Sequence, residues 1–401
     1  MKLLGILKEM TKELNKIGKL IEDLSPNGVK NFKVSEFAKI TIGEFVHKNK
    51  QNPNGKYPVI NGGISETGYY DEYNNTGNKI IVSARGANAG YVNKILKPYW
   101  AGNSSYTIDI IDKDNINWIF VYYYLKNFQN KLTGDQQKGG IPAVSKKQIE
   151  TFRVPIPPLP IQQEIVSILD KFTELEAELE AELEARKKQY EYYKNKSLSL
   201  HNGVNQRSLE EVTLPTDNIK WRDTTKSYKY VDLSSVSRND HNIYETKEID
   251  ASNAPSRAQK IIQEDDVIFA TTRPTLRRYT LIENEYDGQI ASTGYCVLRA
   301  NKSLVLPKWI YFNIASEVFN NYVEKNQEGS AYPGISDSKV KDFMISVPSI
   351  EEQMKIITVL EKFEALVNDI SVGLPAELDA RRQQYEYYRN KLLTFKEKPN
   401  E

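Results

Sequence analysis

Arg186-Lys-Lys-Gln-Tyr-Glu-Tyr-Tyr-Lys-Asn-Lys196 returns near the end of the chain as Arg381-Arg-Gln-Gln-Tyr-Glu-Tyr-Tyr-Arg-Asn-Lys391. A pattern this long does not recur by chance, and internal repetition decides the architecture before any local feature does. Upstream of each block, Gln162 to Phe172 (QQEIVSILDKF) pairs with Gln353 to Phe363 (QMKIITVLEKF). Farther out the match thins but continues: Trp118-Ile119 with Trp309-Ile310, and Ile141-Pro-Ala-Val-Ser145 with Tyr332-Pro-Gly-Ile-Ser336. Asn27-Gly-Val29 and Asn202-Gly-Val204 open the two halves. The chain reads as module, helix, module, helix.

The helical segments carry an apolar stripe in alternating steps of four and three. In the first it runs Ile161, Ile165, Ile168, Phe172, Leu175 and Leu179, extended by Leu183, Tyr190 and Tyr193. In the second it runs Ile350, Met354, Ile357, Leu360, Val367, Ile370, Leu374, Leu378, Tyr385, Tyr388 and Leu392. Such spacing predicts a coiled-coil seam. Residues 161–197 would extend about 55 Å as a helix. The expected seam or subunit-interface residues are Ile165, Ile168, Phe172, Leu175, Tyr190, Tyr193, Ile357, Leu360, Tyr385 and Tyr388. The second segment has four extra residues between its Phe363 and Arg381, and Gly373 and Pro375 predict a kink there. Each helix follows a proline stop, Pro155-Ile-Pro-Pro-Leu-Pro160 or Pro348, since proline suits a helix entrance and not its interior. Read alone, the Glu-Leu-Glu-Ala run of 174–185 is also compatible with a solvated single helix.

The modules between the helices are strand-rich. Lys79-Ile-Ile-Val-Ser83, Tyr106-Thr-Ile-Asp-Ile110, Asp266-Val-Ile-Phe-Ala-Thr271 and Tyr295-Cys-Val-Leu298 are short apolar runs bounded by turn residues. Trp118 to Phe128 and Trp309 to Phe319 read as helices. The expected fold is α+β: two duplicated mixed α/β modules with mainly antiparallel strands, each followed by a long coiled-coil helix. The boundaries expected are a lead-in over 1–30, modules over 31–153 and 201–347, and spacer helices over 154–200 and 348–401.

The chain has 401 residues and a net charge of +1, with 39% hydrophobic and 27% charged residues. Mean hydropathy is −0.57. That length predicts two or three domains with real cores. No apolar run approaches the ~18 residues that span a bilayer, and Met1 to Met10 carries no signal-peptide pattern, so no membrane is expected. The single cysteine, Cys296, excludes an internal disulfide framework, fits a cytoplasmic location, and reads as a buried thiol in a strand. His47, His201 and His241 lie far apart, which argues against zinc. The balance is uneven: residues 31–153 hold 16 Lys/Arg against 10 Asp/Glu, whereas residues 203–347 hold 18 against 20. Any nucleic-acid contact must therefore come from local clusters.

Enzymatic motifs are weak. The only Pro-Pro, Pro157-Pro158, lacks the Asn/Asp before it and the aromatic after it that a methyltransferase block needs. Arg85-Gly-Ala-Asn-Ala-Gly90 lacks dinucleotide or P-loop spacing, and Asp217 with Glu245-Thr-Lys247 only imitates a metal nuclease. Binding motifs are stronger. Thr271-Thr-Arg-Pro-Thr-Leu-Arg-Arg278 is a proline-stiffened loop directly after a strand, with Arg273, Thr275, Arg277 and Arg278 as candidate DNA contacts. Arginine forks onto guanine or grips phosphate. Arg85 and Asn88 stand in the corresponding loop of the first module. Lys138-Gly139-Gly140 and Gly329-Ser330-Ala331 are matching loops where backbone can approach phosphate, with Lys138 the cation. Each of these could also be an ordinary solvated loop.

Taken together, the sequence resembles the specificity (S) subunit of bacterial type I restriction–modification systems. The resemblance is carried by Ser25-Pro-Asn-Gly-Val29, Tyr57-Pro-Val-Ile-Asn-Gly-Gly63, Ser83-Ala-Arg-Gly-Ala-Asn-Ala-Gly90 and Tyr230-Val-Asp-Leu-Ser-Ser235. Asn253-Ala-Pro-Ser-Arg-Ala258, Asp266-Val-Ile-Phe-Ala-Thr-Thr-Arg-Pro274 and the two Gln-Tyr-Glu-Tyr-Tyr blocks complete it. It implies a non-catalytic chain with two target-recognition domains, each reading half of a split double-stranded DNA sequence, separated by two long antiparallel coiled-coil helices in a pseudo-twofold arrangement that act as a ruler. It implies no cofactor on this chain. Two modification (methyltransferase) subunits would bring S-adenosylmethionine and methylate adenine N6 after base flipping, and a restriction (motor–nuclease) subunit can join them. The rival readings are an enzyme in its own right and a structural coiled-coil scaffold without sequence readout.

Overall fold

Lys79-Ile-Ile-Val-Ser83 is buried at every position, as an apolar run covered on both faces must be. In the computed structural model, which describes residues 15–133, 142–199, 205–368 and 373–399, this run is the second strand of a four-stranded antiparallel sheet. The strands are β1 (Ala38–Ile42), β2 (Lys79–Ser83), β3 (Val92–Ile95) and β4 (Ser105–Ile110), ordered β1-β4-β2-β3. Helix α1 (Trp118–Asn127) packs on it through Phe120, Val121, Tyr123 and Leu125. The Asn117 side chain caps α1 by accepting from the Ile119 amide at 2.9 Å. A smaller sheet joins Gly68–Tyr70, Tyr57–Ile60 and Trp100–Ala101, the last two parallel. Asn31–Lys33 pairs with Arg153–Pro155 and closes the module at its two ends.

The chain then enters α2 (Leu159–Leu198), 40 residues long. The second module repeats the first in strand order. Strands β5 (Thr213–Leu214), β6 (Val267–Ala270), β7 (Tyr279–Leu281) and β8 (Tyr295–Ala300) form a sheet ordered β5-β8-β6-β7. Its second sheet again holds one parallel pair, Tyr228–Val231 with Ile290–Ser292. Gln206–Ser208 pairs with Met344–Ser346 as the closing ladder. Cys296 is buried on β8, where burial pushes its thiol well up. Among the described residues no helix is long and apolar enough to cross a membrane.

The second spacer is described as α4 (Ile350–Asn368) and α5 (Leu374–Leu392), and residues 369–372 between them lie outside the described residues. Pro375 has no amide to donate and sits in the first turn of α5, where none is needed. The Glu377 amide closes that turn onto the Gly373 carbonyl at 3.2 Å. One expectation is corrected: the helix read over Trp309–Phe319 is two pieces, α3 (Pro307–Ile314) and Glu317–Asn326. Ser316 starts the second by accepting from the Phe319 amide at 3.1 Å.

The chain divides into two compact units, residues 1–178 with 380–401 and residues 179–379, so each is assembled from both spacers. In the first, Ile161, Ile165, Ile168 and Phe172 join the module core, as do Leu392 and Leu393 from the chain's end. Phe172 lies 5.5 Å from Tyr385 and 6.0 Å from Tyr388, while Glu176 pairs with Arg382 at 2.7 Å, so the helices run antiparallel. In the second, Tyr190, Ile357 and Leu360 enter the module core, and Tyr193 meets Phe363 at 6.2 Å, the repeat of the Phe172–Tyr388 contact. The stripe is thus mostly a helix-to-module face. Two of its expected members, Leu175 and Tyr193, remain 41% and 43% exposed.

Each helix is rooted by one buried glutamine. The Gln162 side chain accepts from the Asn117 amide at 2.8 Å and donates to the carbonyls of Pro157 at 2.7 Å and Asn115 at 3.0 Å. Gln353 accepts from the Leu306 amide at 2.9 Å and donates to Pro348 at 2.9 Å and Leu304 at 3.0 Å. Both therefore join the first turn of a spacer helix to the residues that begin α1 or α3. Deleting either side chain strands buried backbone groups, each costing about 1–3 kcal/mol. Gln162→Ala and Gln353→Ala are each expected to lower stability by about 3 kcal/mol, read as a shift in the urea midpoint. A change under about 1 kcal/mol would show that these amides do not anchor the helices.

Candidate nucleic-acid interface

The two modules present the same loop after their central strand. In the first, Ala84 to Tyr91 leaves β2. Arg85 bridges to Ala143, the Gly86 amide donates to the Pro142 carbonyl at 2.9 Å, and the Val144 amide donates to Ala84 at 2.8 Å. In the second, Thr271 to Arg278 leaves β6. Thr272 bridges to Gly334, the Arg273 amide donates to the Pro333 carbonyl at 2.7 Å, and the Ile335 amide donates to Thr271 at 2.9 Å. The inner turn repeats as well, Ala89 to Gly86 and Leu276 to Arg273, both at 3.0 Å. The same backbone bonds at corresponding positions put the two loops in one register. Arg85 corresponds to Thr272, one position before the Arg273 that the sequence suggested.

This register exposes a contrast. Gly86 and Gly90 have positive φ, at 93° and 85°, and their counterparts Arg273 and Arg277 adopt the same left-handed region at 49° and 52°. For a residue with a Cβ this costs about 1–2 kcal/mol. The second module holds two arginines where the first uses glycine.

The four candidate residues of the second loop separate by role. Arg277 is half-buried, pairs with Glu317 and donates to the Ala315 carbonyl at 2.8 Å. Arg278 donates to the carbonyl of Val236 and, at 3.5 Å, to that of Ser234. Both tie the loop to the body of the module. Thr275 is exposed. Arg273 is exposed, with its guanidinium 4.5 Å from the centre of the Tyr332 ring. Tyr332, 72% exposed, lies on the neighbouring 328–334 turn, which is closed by reciprocal bonds between Glu328 and Gly334 at 2.8 and 2.9 Å. Beside the loop is a polar depression lined by Ser234, Ser237, Arg238, Asn239, Tyr244 and Arg278. Below it His241 stacks on Tyr279 at 3.9 Å. Burial, and then the Arg277 cation, push that imidazole down to about 4, so it is neutral near pH 7.

In the first module Arg85 is exposed and Asn88 half-buried. Lys138, with Gly139 and Gly140, lies outside the described residues. Among the described residues no group of three His, Cys, Asp or Glu side chains could hold a metal ion. Sequence reasoning missed Tyr332, Arg238 and Asn239. The Tyr332-Pro-Gly-Ile-Ser336 repeat was visible, but its pairing with the 271–278 loop is a tertiary contact.

Comparison with known proteins assigns this frame. The family model for the type I restriction modification DNA specificity domain matches twice, over residues 26–185 and 190–380. The EcoR124I/EcoR124II specificity subunit of Escherichia coli is 30% identical over 301 residues, covering 69% of this chain and 70% of that protein. A putative type I specificity subunit of Haemophilus influenzae is 28% identical over 353 residues, covering 82% and 85%. A type I restriction–modification S subunit from M. genitalium has the same fold, with a TM-score of 0.55 and 17% identity over 91% of this chain and 96% of its own. With two matched domains covering nearly its whole length, the chain belongs to the family of type I restriction–modification specificity subunits.

Proposed function

We propose that this chain reads a two-part, asymmetric sequence in duplex DNA, one part per module, and positions partner subunits that modify it. The observation that carries this reading is a pair of loops held by the same backbone bonds with unlike side chains: Arg85, Gly86 and Gly90 in one, Thr272, Arg273 and Arg277 in the other. A shared frame with different hydrogen-bonding groups is what two different half-sites require. The contacts proposed are Arg85 and Asn88 with Lys138 in the first module, and Arg273 and Thr275 in the second. Arg277 and Arg278 serve by holding the loop.

In this reading the chain is not itself the enzyme. Modification subunits bring S-adenosylmethionine and perform adenine methylation, and a restriction subunit can join them in the cytoplasm. A net charge of +1 is consistent with partners supplying part of the phosphate grip. The scaffold reading predicts no base preference, and it leaves the left-handed Arg273 unexplained.

Mapping methylated adenines in DNA treated with the assembled complex tests the proposal. One split sequence with a constant gap is expected, and methylation without a fixed two-part sequence overturns it. Exchanging residues 206–346 for those of another family member should change one half-site only. Inserting four residues after Leu183 adds about 6 Å of helix and should lengthen the gap by one or two base pairs. An unchanged gap would show that the helices do not set it.

A further inference from the structure

Several arginines and lysines of the second module are held by its own groups: Arg277 by Glu317, Arg278 by Val236, Arg299 by Asp266 and Lys260 by Asp337. Arg273 is held in another way. Its guanidinium has no hydrogen-bond partner among the described residues, and its one contact is the face of Tyr332. A guanidinium stacked on a ring uses its flat face and keeps its N–H edge free for a coplanar acceptor. Its backbone is also fixed. Thr271 and Ile335 bond on one side, the Arg273 amide bonds Pro333, and Arg277 and Arg278 anchor the loop's far end. A left-handed backbone at a position where the sister loop has glycine is a persistent cost, of the kind that the surrounding structure maintains at functional sites.

We infer that Arg273 is a specificity-determining residue of the second module. It forks onto the O6 and N7 of a single guanine in the major groove, with Tyr332 as the plate that holds the fork in plane. This inference rests on the DNA-reading function proposed above and names the group and base that carry it. A grip on phosphate tolerates a swinging cation. An edge presented in one plane by a braced loop suits a coplanar pair of acceptors, and guanine alone offers two in the major groove. The first module, with Gly86 at this position, makes no equivalent contact.

The test uses the assembled methyltransferase complex carrying the wild-type chain, Arg273→Gly, Arg273→Lys or Tyr332→Ala. Arg273→Gly matches the sister loop and relieves the left-handed backbone, so its thermal midpoint should equal or exceed that of the wild type. Methylation rates are measured on duplexes in which each base pair of both half-sites is replaced in turn. Arg273→Gly and Arg273→Lys are expected to reduce discrimination at one G·C pair by about 5- to 150-fold. Other positions and the first half-site should be unchanged, and Tyr332→Ala should weaken the same position less. An even loss over all sequences that Lys restores would make Arg273 a phosphate contact. An unaltered profile would make it a bystander, and either result overturns the inference. If the wild-type complex itself shows no two-part preference, the failure lies in the underlying function and not in the residue.

Discussion

A long helix can hold a folded module at its end only if the joint does not swivel, and a joint in the interior must leave no backbone group unpaired. Gln162 and Gln353 meet both demands in the same way. Each amide bonds its own helix entrance and the start of the module's α1 or α3. The proline stops upstream remove backbone donors, and the glutamine supplies side-chain donors to the carbonyls left over. The geometry needs an amide: a carboxylate could not donate to two carbonyls, and an apolar group could not bond at all. The apolar residues of each helix that enter its module core, among them Ile165 and Ile357, complete the joint.

On that base the modules share a scaffold and differ in what they display. The strand order, the single parallel pair and the closing ladder are repeated. So are the amide-to-proline straps of the loops. The side chains at the loop corners change. Such a division lets a recognition surface diverge without renegotiating the core, because the straps are backbone bonds and place no demand on side-chain identity. The Arg277–Glu317 pair shows the limit of that freedom, since one of the displayed positions has been taken over to stabilise its own loop.

Much of the architecture was legible. The duplicated Gln-Tyr-Glu-Tyr-Tyr blocks established two modules and two helical segments, and the apolar runs located β2, β4, β6 and β8. What escaped was decided by contacts between distant segments. Nothing in the period of the α2 stripe says whether Ile165 and Ile168 face another helix or a sheet-borne core, since both give the same spacing. The site was read less well. Three arginines in one short run looked equivalent, and only the positions of Glu317, Ala315 and Val236 distinguish the two that tie the loop from the one that faces outward. Nor could Tyr332 be connected to Arg273 from a chain separation of 59 residues.

The division of the chain into units bears on its biosynthesis. The first unit takes residues 380–401 into its fold, and Leu392 and Leu393 are buried in its core beside Phe120 and Ile161. These residues leave the ribosome after the whole of 179–379. The second unit, built from residues 179–379, has all its parts as soon as that segment has emerged. The module synthesised first is therefore the one completed last, and it waits with an open flank through the translation of its twin. A stop placed just after residue 379 would damage the amino-terminal unit and spare the other.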